Sequence, residues 1–229
     1  MMPKNISFIL LIFFINTMKS NIYAQDWANL SKYQSDNTRI IQEAKPIKAV
    51  FMGDSITEFW LAQQPDFFSS NNYINRGISG QTTPQMLLRF RQDVVALKPK
   101  IVVILAGIND IAGNTGETTL ETITNNIQSM IEMAKANHIK VILCAVLPAN
   151  DFYWNPNKNP ANQVIALNKM LKNYAEKNKI SFVDYYKYMV DDQKGLQKTL
   201  SPDGVHPNLK GYQVMQPLLQ HEIQNILKK

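Results

Sequence analysis

Two runs of continuous apolar, largely β-branched residues constrain this chain more than anything else in it: Ile101–Ala106 (IVVILA) and Ile139–Leu147 (IKVILCAVL). Neither alternates apolar with polar. Unbroken hydrophobicity over so short a length is what a strand buried on both faces requires, and that condition belongs to parallel sheets covered by helices. Three weaker runs share the character: Ile47–Met52 (IKAVFM), Tyr73–Asn75 and Ile180–Val183. Helical patterns lie between them. In Gln85–Leu97, opened by Thr83-Pro84, apolar residues recur at three- and four-residue steps (Met86, Leu87, Phe90, Val94, Leu97). Leu120–Ala136, residues 161–177 and about Leu209–Leu227 repeat the pattern, and residues 25–46 are polar, a leading helix or an arm. Strand and helix in alternation predict an α/β fold around a parallel five-stranded sheet with right-handed crossovers. At 229 residues the chain suits one domain, and no linker divides it.

The first 24 residues differ in kind. Lys4 precedes an apolar run, Ile6–Ile15, and polar residues lead to Ile22-Tyr23-Ala24-Gln25. A positive end, a short apolar stretch and a small residue predict a secretory signal peptide cleaved after Ala24, leaving residues 25–229 as the mature domain. The run is too short to span a bilayer, which takes about 20 residues. No cysteine lies near the cut, which argues against a lipid anchor. The expected location is therefore secreted or periplasmic, with no stable membrane anchor. Cleavage removes Lys4 and Lys19 and no acid, so the formal charge of +6 falls to +4. That modest charge is scattered and lacks an aromatic-basic motif, so nucleic acid is not an expected partner. The single cysteine, Cys144, lies inside a strand-like run and reads as a buried small hydrophobe.

Ligands of open α/β sheets bind beyond the carboxyl ends of the strands, so the segments after each strand are where chemistry is sought. These are Gly53-Asp54-Ser55-Ile56-Thr57, then 75–82, then Gly107-Ile108-Asn109-Asp110, then the loop 148–160, and lastly Ser201–Asn208 ahead of the final helix. Acyl transfer needs a hydroxyl nucleophile, an imidazole base, a carboxylate to orient the imidazole and donors aimed at the developing oxyanion. Ser55, His206 and Asp203 fill the first three roles. Gly80, lacking a Cβ, brings a backbone N–H close, and Asn109 offers a side-chain amide. Of the three histidines, His138 precedes a strand at the opposite rim and His221 sits within the last helix, which leaves His206. Gly77-Ile78-Ser79-Gly80-Gln81 fails the G-x-S-x-G pattern at its fifth position, so Ser79 reads as a local turn residue. Asp54 and Asp110 read as structural carboxylates bonding nearby backbone N–H groups, and Arg76 as a salt-bridged scaffold residue. No metal-ligand cluster is present, and no metal or cofactor is expected.

Gly53-Asp54-Ser55-Ile56-Thr57, Gly80, Asn109 and Asp203-Gly204-Val205-His206 resemble, in order and spacing, the four blocks of the SGNH (GDSL-like) hydrolase family, whose members include lysophospholipases, thioesterases and acetylesterases. The resemblance spans roughly residues 47–210. It implies a flavodoxin-like three-layer α/β/α sandwich and a Ser55–His206–Asp203 triad. It implies an oxyanion hole made of the backbone N–H of Ser55, the backbone N–H of Gly80 and the Asn109 side chain. Ile56 stands where the family name has leucine, a common apolar variant.

The expected activity is therefore hydrolysis of carboxylic esters through an acyl-enzyme. No extended apolar stretch marks a deep lipid tunnel, which favours short acyl groups such as acetyl on a carbohydrate over the longer chains of a lysophospholipase or thioesterase. The expected partner is a small-molecule or glycan ester. Phe152, Tyr153 and Trp154, after the fourth strand, either contact such a substrate or pin the long loop 150–160 to the domain. A non-catalytic carbohydrate-binding protein on the same scaffold is the competing reading of another class. It leaves the pairing of Asp203 with His206 without a purpose.

Overall fold

A computed structural model describes residues 26–156 and 158–228. The expected cleavage site at Ala24 lies outside the described residues, as does Asn157 of the long loop. Five strands form one sheet: β1 Ala49–Gly53, β2 Tyr73–Gly77, β3 Ile101–Leu105, β4 Lys140–Cys144 and β5 Ser181–Val183. Every pairing is parallel, in the order β2-β1-β3-β4-β5. All five residues of β1 and of β3 are buried, as continuous apolar runs require when helices cover both faces.

The helices are α1 Gln34–Glu43, α2 Ser55–Gln63, α3 Pro65–Ser69, α4 Thr83–Asp93, α5 Ile108–Ala112, α6 Leu120–Ala136, α7 Ala161–Lys177, α8 Tyr185–Met189 and α9 Leu209–Leu227. Packing separates α1, α4, α6 and α7 from α2, α8 and α9, giving the two outer layers of an α/β/α sandwich. Beneath α2 an aromatic cluster fills one side of the core. Trp60 stacks between Phe67 and Tyr212, and Phe51 meets Trp60, Phe67 and Phe68 edge-on.

Where structure and sequence expectation differ, the causes are local. Helix α4 stops at Asp93 and passes into a 3₁₀ turn, Val95–Leu97, instead of running on to Leu97. The β-branched pair Val94-Val95 and the approaching Pro99 disfavour another α-turn. Its start follows the sequence signal, with a capping box between Thr82 and Gln85. Strand β4 ends at Cys144, three residues short of the apolar run's end. Ala145 N–H still reaches Val183 O, at β5's last residue. Beyond that no strand lies alongside, and the Asn168 side chain bonds both the N–H and the C=O of Val146, at 2.8 Å each. Strand β2 runs past Asn75 because its polar residues are satisfied inside the fold. Asn75 Nδ2 donates to Thr57 O, and Arg76 donates to Asn37 and Asp36. Helices α2, α3, α5 and α8, each nine residues or fewer, carry too little periodicity to stand out in the sequence.

Candidate active site

Strand β1 lies between β2 and β3, with Gly53 in register with Gly77 on one side and Leu105 on the other. The segments leaving these three ends therefore start side by side. Ser55 is two residues past Gly53, Gly80 three past Gly77, and Asn109 four past Leu105. Close approach is enforced at Gly77, where a Cβ would sit 2.2 Å from the backbone nitrogen of Glu58. The first turn of α2 thus lies directly against the end of β2.

Ser55 opens α2. Asp54 caps that helix, its Oδ1 accepting from Ile56 N–H at 2.9 Å. Ser55 Oγ lies 2.9 Å from His206 Nε2, and His206 Nδ1 lies 2.7 Å from Asp203 Oδ2. A carboxylate has no proton to give, so Nδ1 carries the hydrogen and donates to Asp203. Nε2 is then free to accept from the serine hydroxyl. Asp203 is held by its own loop. Oδ1 accepts from Val205 N–H, His206 N–H and Ser201 Oγ, at 2.9, 2.8 and 3.1 Å. Partial burial raises its pKa, but the hydrogen bonds from His206 and Val205 outweigh this and keep it below the ordinary aspartate value.

On the other side of Ser55, Gly80 adopts φ +76°, a left-handed conformation that a side chain would strain, although a Cβ there would meet only Asn114 Nδ2 at 3.9 Å. Asn109 Nδ2 donates one hydrogen to Gln81 O at 3.1 Å, which ties it to the Gly80 loop. Its second hydrogen and the N–H groups of Ser55 and Gly80 have no acceptor among the described residues. The loop is fixed from several directions. Asp110 accepts from the N–H and Oγ of Thr83, Asn114 Nδ2 donates to Gly80 O, and Arg89 Nε donates to Gln81 Oε1.

Two exposed aromatic rings flank the imidazole. Phe59, one helical turn beyond Ser55, lies 5.4 Å from the His206 ring between centroids, and Trp154 lies 6.5 Å from it. The aromatic loop divides its labour. Phe152 is fully buried in the core and stacks under Trp154 at 5.0 Å, so it is an anchor and not part of any substrate surface. Trp154 and Tyr153 are exposed. Trp60, near the nucleophile in sequence, is buried in the aromatic cluster and turned away from it.

Other residues fall away from the centre. His138 ends the turn after α6, ahead of β4 and so at the opposite end of the sheet, and His221 lies in α9. Cys144 is buried, and burial pushes its thiol up to about 12. Arg76 is a scaffold residue, bonded to Asp36 and Asn37 and lying over the Tyr33 ring at 4.6 Å. Ser79 does sit in a turn, closed by Gln81 N–H to Ile78 O at 3.2 Å, but it does not bond within that turn. Its N–H and Oγ both donate to Glu58 Oε2, 21 residues earlier. Asp110 bonds backbone as expected. Asp54 does so with one oxygen only. Its Oδ2 is buried without a partner among the described residues, and burial, reinforced by the charge of Asp110, pushes its pKa up to about 7. No cluster of three histidine, cysteine or carboxylate side chains able to hold a metal lies among the described residues.

The model of the GDSL-like lipase/acylhydrolase family matches residues 51–214 of this sequence. The chain belongs to that family. Among solved structures, a Bacteroides fragilis protein assigned provisionally as an acylhydrolase shares 51% identity with it over 89% of this chain and 99% of that one, with a TM-score of 0.86. The esterase TesA of Pseudomonas aeruginosa is 27% identical over 202 residues, 82% of this chain and 92% of TesA. An acetylxylan esterase of Geobacillus stearothermophilus is 26% identical over 158 residues, 66% of this chain and 71% of that protein. Membership in the GDSL-like family implies an ester hydrolase, and the five-stranded parallel sheet with helices on both faces is the fold of such enzymes. No helix of the described residues is long and apolar enough to cross a membrane.

Proposed function

We propose that this chain is a serine esterase that removes short acyl groups, such as acetyl, from a carbohydrate by way of an acyl-enzyme on Ser55. The observation that carries the reading is the hydrogen-bonded relay from Ser55 Oγ through His206 to Asp203. In the proposed cycle Ser55 Oγ attacks the ester carbonyl while His206 Nε2 takes its proton. Asp203 stabilises the resulting imidazolium and keeps the ring's orientation. The oxyanion receives the Ser55 and Gly80 N–H groups and the free hydrogen of the Asn109 amide. The imidazolium gives its proton to the departing alcohol. Water, deprotonated in turn by His206, then releases the carboxylic acid and restores Ser55. No metal or cofactor takes part in this cycle.

Short acyl groups are favoured by where the nearby apolar side chains point. Ile56, Trp60, Ile78, Ile108 and Ile111 are all buried in the fold instead of lining an open channel. What remains exposed beside His206 is aromatic, Phe59 and Trp154, and such rings suit the C–H face of a sugar. Similarity to an acetylxylan esterase supports the same choice. A series of p-nitrophenyl esters from acetate to palmitate tests it. A sharp preference for acetate is expected. Preference for long chains would point to a lysophospholipase- or thioesterase-like role, and no hydrolysis at all to a binding protein.

We further propose that the chain is exported and cleaved after Ala24. N-terminal sequencing of the protein recovered outside the cytoplasm is expected to start at Gln25. An intact Met1 would contradict it.

A further inference from the structure

The family match begins at residue 51, yet the segment before it is bonded closely to the Gly80 loop. Gln81 and Gln85 side chains donate to Ala28 O and Trp27 O at 2.7 Å each, and Gln92 Nε2 donates to Leu30 O at 2.6 Å. The Tyr33 hydroxyl donates to Gly77 O. Lys32 pairs with Glu58. The arm thus reaches both the segment that carries Gly80 and the helix that carries Ser55.

Glu58 is where these contacts meet. It lies three residues after Ser55, on the same face of α2. One carboxylate oxygen takes the Lys32 ammonium. The other accepts both the N–H of Ser79, at 2.6 Å, and its hydroxyl. Ser79 and Gly80 share a peptide unit, and the N–H of that unit is the proposed Gly80 oxyanion donor. Asn114 and Asn109 hold the far side of Gly80 through the carbonyls of Gly80 and Gln81. Glu58 holds the near side.

We propose that Glu58 is a positioning residue for the reaction: bridging Lys32 of the N-terminal arm to Ser79, it aims the Gly80 N–H at the oxyanion. The inference rests on the serine esterase reading above. An ordinary surface ion pair, which at 28% exposure of each side chain Lys32–Glu58 resembles, adds little stability and has no reason to alter turnover. A donor displaced by about 1 Å costs up to about 100-fold in rate.

The test is steady-state kinetics on p-nitrophenyl acetate with the full mature chain. Glu58→Ala is expected to lower kcat by about 10- to 100-fold, with KM within about twofold and little change in Tm. Glu58→Gln keeps an oxygen able to accept from Ser79 N–H and is expected to recover most of the loss. Lys32→Ala is expected to lower kcat by about threefold, and Lys32→Arg to restore it. The shape of the pH profile should stay as in the wild type, because the base is untouched. Unchanged kcat in Glu58→Ala overturns the proposal. So does a loss that Glu58→Gln fails to relieve and that follows a falling Tm. If Glu58→Ala does not fold, the Lys32 pair decides: equal kcat in Lys32→Ala and wild type overturns the proposal. Ser55→Ala serves as the separate check. Activity persisting there contradicts the esterase reading itself, whatever Glu58 does.

Discussion

The loop carrying Asp203 and His206 holds itself together over two or three residues, whereas the loop carrying Gly80 is tied to partners 8 to 53 residues away. The first is half-exposed, with 20% of the His206 side chain and 28% of Asp203 open to solvent, and a cavity of about 430 Å³ adjoins Asp203. In the second, Ser79 and Gly80 are exposed at the tip, but Gln81, Thr82 and Thr83 directly behind them are buried with Arg89, Asn109 and Asp110. The contrast follows from what each side does in the proposed cycle. A base that takes and returns protons needs a fixed ring, and a short loop with an internal carboxylate is enough. Donors for a charge that exists only in the transition state must be placed before it forms, and that takes a scaffold.

The largest expected effect tests the self-contained side. His206→Ala should lower kcat/KM on p-nitrophenyl acetate by about 10⁴-fold while leaving Tm nearly unchanged. Unfolding in that variant would show that the base loop is tied into the fold after all.

Next comes the pH dependence of the buried carboxylate beside Ser55. Asp54 has its pKa raised to about 7, chiefly by burial. Its contribution to stability is therefore complete below the ordinary aspartate value near 3.8 and is lost as pH rises through about 7. The full loss is on the order of 4 kcal/mol. Asp203 and Glu58, with lowered values, act in the opposite sense and lose their contribution only in acid. Denaturant melts of Asp54→Asn against wild type from pH 4 to pH 8 isolate the Asp54 part. The variant should lack the decline, and parallel curves would contradict the assignment.

Asn109→Ala should cost about 10²–10³ in kcat, the usual loss for one oxyanion donor. Because Asn109 also holds Gln81 O, it should cost about 1 kcal/mol of stability too, unlike His206. Loss of activity without loss of stability would weaken the distinction between the two sides. The smallest effect belongs to the aromatic rim. Trp154→Ala should raise KM for an acetylated oligosaccharide by about tenfold and leave kcat for p-nitrophenyl acetate nearly unchanged.

The same contrast explains what could be read before the structure. The two strong apolar runs disclosed β3 and β4, and helical spacing disclosed α4, α6, α7 and α9, because burial on both faces or on one stripe leaves a periodic mark. Asp203 and His206 were legible because their pairing is local. That Ser55, Gly80 and Asn109 lie side by side was legible from their places after strands. The bonds that hold the Gly80 loop were not. Nothing in the sequence near Ser79 points to Glu58, and nothing near Gln81 points to Arg89 or Ala28. Phe59 was within reach. It lies four residues after Ser55, on the same helix face, once α2 is seen to begin at the serine itself. For Phe152 the structure selects the pinning role that the sequence leaves open, because an aromatic trio in a loop does not disclose which ring turns inward.

The most direct measurement of the central proposal is covalent labelling with a p-nitrophenyl phosphonate, followed by peptide mass spectrometry. One equivalent should attach to Ser55, inactivation should track the labelling, and His206→Ala should label far more slowly. A label on any other serine, or full inactivation with Ser55 unmodified, would contradict Ser55 as the nucleophile.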